Sequence, residues 1–81
     1  LQDNYLFPFT HKATITIQDG NMNILQSVAN LIGGSDPQID DLNVVALFES
    51  EIDANGVCYD LRNIVGICHG LVLTYTVEVL K

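Results

Sequence analysis

Four side chains in this sequence are soft donors: His11, Cys58, Cys68 and His69. Their types match a tetrahedral zinc shell, but their spacing does not. Structural zinc ligands come in pairs a few residues apart, and here only Cys68 and His69 are close. Adjacent residues in regular structure point apart, so even that pair does not converge. A cysteine nucleophile would need an imidazole within hydrogen-bond reach and an electropositive setting. The chain offers the opposite setting, with ten Asp and Glu against three Lys and Arg and a formal net charge of −7. No metal, cofactor or catalytic residue is expected. Whether Cys58 and Cys68 are joined in a disulfide or stay thiols is left open by the sequence.

Oxygen ligands fare no better. Glu51-x-Asp53-x-Asn55-Gly56 matches the first half of a calcium loop, where oxygens recur at alternate positions before a turn glycine. The twelfth position should then be a bidentate carboxylate, and it is Arg62. Asn55-Gly56 therefore reads as a plain hairpin turn, since both residues tolerate positive φ. Asp36, Asp40 and Asp41 read as acids solvated in a polar loop. Gly33-Gly34 reads as a helix stop and not as a phosphate cradle.

What the acids do carry is a bias in partner choice. Between Lys12 and Arg62 lie Asp19, Asp36, Asp40, Asp41, Glu49, Glu51, Asp53 and Asp60, with no lysine or arginine among them. Such a stretch repels phosphate backbones and anionic lipid and attracts a basic protein surface, so neither nucleic acid nor membrane is an expected partner. An apolar fraction of 48% with 16% charged residues is too hydrophobic for a disordered acidic tail. The charge-free run 63–77 is interrupted by His69 and, like the run 20–35, is too short to span a bilayer. The 81 residues suit a single domain. A chain this short buries only about 60% of its unfolded surface and often borrows core from a partner.

The elements that must position these residues follow from periodicity. Residues 1–10 form an extended apolar arm, Tyr5-Leu6-Phe7-Pro8-Phe9, which holds three of the six aromatics. Ala13, Ile15 and Ile17 alternate with threonines in a half-buried strand, and Asp19-Gly20 turns the chain. Ile24, Leu25, Val28, Leu31 and Ile32 share one helical face, with Asn23 and Gln26 spaced as a capping box. A polar loop over 35–41 precedes a strand from Val44 that alternates through Ile52. The Asn55-Gly56 hairpin then returns Val57, Tyr59 and Leu61 alongside, and residues 71–79 form the last strand. Leu61, Ile64, Val65 and Cys68 have helical spacing, but Gly66 and β-branched neighbours oppose a helix over 60–70. With that short helix the chain is an α+β sandwich of ferredoxin-like order β-α-β-β-α-β, its helices on one face of an antiparallel sheet. Without it the order is β-α-β-β-β, as in cystatin-like folds.

The strand, the Asp19-Gly20 turn and the helix from Leu25 to Gly33 resemble the opening of ACT-type regulatory domains, although the turn glycine departs from that family's Asp-x-x-Gly pattern. The resemblance implies the β-α-β-β-α-β order and a small ligand at the turn, held near Asp19, Gly20 and Asn21. The residues themselves point first elsewhere, to a non-enzymatic interaction or assembly module. It would bind a basic partner or its own copies through Tyr5, Phe7 and Phe9 and the acids Asp36, Asp40, Asp41, Glu49 and Glu51. A third reading, an acidic inhibitor of a nucleic-acid-binding protein, fits the charge sign.

Overall fold

The computed structural model describes residues 8–33 and 35–80, with the side chains of residues 35 and 36 left aside. Alternation in β1 (His11–Ile17) buries Ala13, Ile15 and Ile17 on one face. The five elements that follow are α1 (Met22–Leu31), β2 (Ser35–Asp40), β3 (Asn43–Phe48), α2 (Glu51–His69) and β4 (Leu73–Val79). The four strands form one antiparallel sheet in the order β2-β3-β1-β4, the ferredoxin-like arrangement. Register places Ala13 beside Ala46 and Val77, and Ile15 beside Val44 and Tyr75, so one face of the sheet is continuously apolar. Both helices bury their apolar stripes there: Leu25, Val28 and Ala29 from α1, and Ala54, Cys58, Leu61 and Val65 from α2. Each fully buried Val or Leu contributes about 1.5–3 kcal/mol relative to exposure.

The element order agrees with the sequence reading, but two elements arise from different residues. The expected polar loop at 35–41 is largely strand β2. It escapes pattern reading because it is an edge strand with Pro37 and an irregularity between Ser35 and Gln38, and among its described side chains only Ile39 packs against the core. The hairpin is made by Asp41 and Leu42, both at positive φ (51° and 66°), as a two-residue turn between twisted strands requires. An L-residue in this conformation costs about 1–2 kcal/mol, and Leu42 has none of the local hydrogen-bonding options of Asn or Asp.

Asn55-Gly56 is not a turn. The end of the expected strand through Ile52, the returning strand 57–61 and the short helix over 60–70 are replaced by α2, nineteen residues long. Its start is fixed by Ser50, whose hydroxyl accepts from the Asp53 amide at 3.0 Å, and by Glu51 and Asp53 in the first turn, where acids suit the helix dipole. Its end is Gly70, at φ 66°. Gly56 and Gly66 lie inside the helix, and a Cβ added at either meets nothing within 4 Å. The double variant Gly56→Ala/Gly66→Ala should therefore be more stable by about 1–2 kcal/mol in a urea melt. A hairpin at Asn55-Gly56 would give the opposite sign.

The caps of α1 also differ from expectation. Asn21, not Asn23, is the N-cap, its Oδ1 accepting from the Ile24 amide at 3.0 Å. The helix stops at Ile32 in extended backbone, Gly33 takes no left-handed turn, and Leu31 faces out at 60% exposure. Both cysteines are free thiols. They stand ten residues apart on one helix, about 15 Å along its axis, beyond the reach of a disulfide within the chain.

Candidate interaction surfaces

The topology divides the acids. Asp19, Asp40 and Asp41 sit at the end of the sheet where β1 leaves and the β2–β3 hairpin turns. Glu49, Glu51 and Asp53 sit at the opposite end, where β3 passes into α2. The base-free stretch of sequence is thus two acidic ends and not one patch.

The second end carries a cleft of about 750 Å³. Both helices pack on the sheet far more than on each other, and the groove runs beside α2 at the end of β3. Gly33 lines it from the α1 side, and Ile52, Asp53, Gly56, Val57 and Asp60 line it from α2, with Phe48 at the strand end and the half-buried Phe9 beside them. Among the described residues, Glu49, Asp53 and Asp60 are the charged ones that line it, and no Lys, Arg or His joins them. An apolar floor under an acidic rim matches a segment that carries both apolar and cationic side chains.

Of the residues proposed for partner binding, Phe9 and Glu49 meet in this groove, while Glu51 stands exposed in the first turn of α2. Asp40 and Asp41 are exposed at the other end of the sheet. Tyr5, Phe7 and the Asp36 side chain lie outside the described residues. Sequence reasoning missed Ile52, Asp53, Val57 and Asp60 as one surface, because placing 51–61 in strands separates side chains that a helix brings together. The signal was Ser50-x-x-Asp53, a helix start of the capping-box type. Ile52 is itself 83% exposed, and α2 also exposes Tyr59 and Ile67, at 55% and 84%.

The uncovered face of the sheet is more polar than an apolar docking face. Thr14 and Thr16 stand in register with Thr76 and Thr74, and Thr16 Oγ1 donates to Asn43 Oδ1 at 2.8 Å. Lys12 and Glu78 form an exposed ion pair at 3.8 Å, worth about 0–1 kcal/mol. At the β1–α1 turn, Asn21 caps the helix and Gly20 lies against Ile17, where a Cβ would come within 3.1 Å of its side chain. Those two roles are structural. None of the three described clefts is lined by Asp19, Gly20 or Asn21.

Cys58 is fully buried and burial pushes its thiol up to about 11, away from the thiolate that nucleophilic chemistry needs. Among the described residues no group of three or more His, Cys, Asp or Glu converges as a metal site. Glu51, Asp53 and Asn55 now alternate along a helix, where positions two apart do not face one another. No helix among the described residues is long and apolar enough to cross a membrane. No family model, curated protein or solved structure matches the chain.

Proposed function

We propose that this chain is a non-enzymatic interaction module that associates with another polypeptide, its acids steering it toward cationic surfaces. The observation that carries the reading is the groove beside α2 at the end of β3, where Phe9, Phe48, Ile52 and Val57 lie among Glu49, Asp53 and Asp60. Apolar contact supplies affinity in such a groove, and the acids supply orientation and encounter rate.

A thermal-shift screen tests it, with basic amphipathic peptides in one arm and amino acids and divalent cations in the other. A peptide that binds the folded state raises Tm by mass action. The expected result is a rise with basic peptides that shrinks at high salt and in the Asp53→Lys/Asp60→Lys variant. A rise with amino acids alone would instead support a small ligand at the β1–α1 turn, and no response in either arm beside a constant native mass would overturn the module.

A further inference from the structure

The two edges of the sheet are treated differently by the sequence. The β2 edge has Pro37, a break in register between Ser35 and Gln38, and Asp36 and Asp40 along its six residues. These are the devices that keep an edge from recruiting another strand. The β4 edge, Leu73-Thr74-Tyr75-Thr76-Val77-Glu78-Val79, has no proline and no break in its register with β1. Among the described residues no strand pairs with its outer side.

The hydrogen bonds show which groups that edge presents. The Gln18 amide donates to Val72 O and the Leu80 amide to Thr10 O, both at 2.9 Å, one at each end of the β1–β4 ladder and both in its register. Bonded and unbonded pairs alternate in an antiparallel ladder. The bonded pairs are therefore Lys12·Glu78, Thr14·Thr76 and Thr16·Thr74. The N–H and C=O groups of Leu73, Tyr75, Val77 and Val79 then point outward.

We infer that β4 is a self-pairing edge, along which a second copy of this chain adds antiparallel to join two sheets into one. Resting on the interaction-module reading, the inference names one partner and its register. With Thr76 facing Thr76 of the partner subunit across a two-fold axis, Tyr75 pairs with the partner's Val77 and Leu73 with the partner's Val79. All outward groups then exchange hydrogen bonds, and the side-chain pairs are of the aromatic and β-branched kind that stabilise sheets. Tyr75 and Val77, half-buried in one copy, and Val79, 65% exposed, gain cover on the helix side.

Charge selects this edge for a like partner. A chain of net charge −7 repels its own copy over most of its surface. Residues 61–81 hold Arg62 and Lys81 against the single acid Glu78. In the stated register Glu78 lies across from the partner's Thr74, so no acid faces an acid.

The test compares the full chain with two variants by sedimentation equilibrium over a wide concentration range. Val77→Pro removes one outward N–H and leaves every β1–β4 bond in place, a position where an edge strand tolerates proline. Thr76→Lys sets two ammonium groups against each other at the axis and alters no backbone group. The expected result is a dimer in the unaltered chain that weakens about tenfold or more in each variant, with monomer circular dichroism unchanged. A dimer that persists in a folded Thr76→Lys or Val77→Pro variant overturns the β4 edge and leaves the module reading standing. A monomer at every concentration overturns self-pairing outright, while a Tm response to basic peptides would still uphold the module.

Discussion

Replacing Ile15 by alanine should lower the unfolding free energy by about 2–5 kcal/mol, the range for truncating a buried aliphatic side chain that leaves a cavity. Ile15 lies near the middle of β1, one of the two inner strands of the sheet. It has no solvent exposure, stands between Val44 of β3 and Tyr75 of β4, and faces the helices across the core. A chain of 81 residues holds about 4–12 kcal/mol in all, so the variant loses a large share of its stability. Urea denaturation should show a midpoint moved sharply down with an unchanged slope, because native and unfolded states expose the same surface as before. A shift of only a few tenths would mean that β1 does not lie between β3 and β4.

The second large effect concerns alkaline pH. Cys58 titrates near 9 in an unfolded chain and about 11 in the fold, because burial disfavours the thiolate. Above pH 9 the unfolded chain has released this proton and the folded chain still holds it. The native state then binds more protons, and stability falls as pH rises. The loss is complete once pH passes 11, and the span of the shift corresponds to about 2–3 kcal/mol. Cys58→Ala should flatten this alkaline limb. In the unaltered protein a thiol reagent at pH 8 should modify the exposed Cys68 quickly and Cys58 only on unfolding. Equal labelling of both would show that α2 does not bury its 54/58/61/65 face.

The parts of the fold legible in the sequence were those where one period dominates. Ala13, Ile15 and Ile17 announce β1, Leu25 and Val28 announce α1, and Leu73, Tyr75 and Val77 announce β4. The illegible parts were those where local preference and tertiary packing disagree. Asn55-Gly56 prefers a turn, and Ile52, Val57, Ile64 and Ile67 prefer strand, yet Ala54, Cys58, Leu61 and Val65 bury one helical stripe over a sheet that needs a second helix. Packing outweighs the cost of two mid-helix glycines. Asp41-Leu42 shows the reverse, because a turn that demands positive φ is filled by a leucine that gives no turn signal. Of the candidate groove, the acids Asp53 and Asp60 were visible as charge. Their neighbours Ile52 and Val57 became a surface only once the helix was known.

Strand order has a consequence for how this chain is made. β1 pairs with β3 on one side and β4 on the other, and α2 lies between those two partners in the chain. A ribosome that has released Phe48 must add thirty-one more residues before Val79 appears, roughly two to six seconds at ordinary elongation rates. During that interval β1 is itself an edge, His-Lys-Ala-Thr-Ile-Thr-Ile, with an apolar face and unpaired backbone groups. Lys12 is the one lysine or arginine on that strand, a charge of the kind that disfavours pairing with a neighbouring chain.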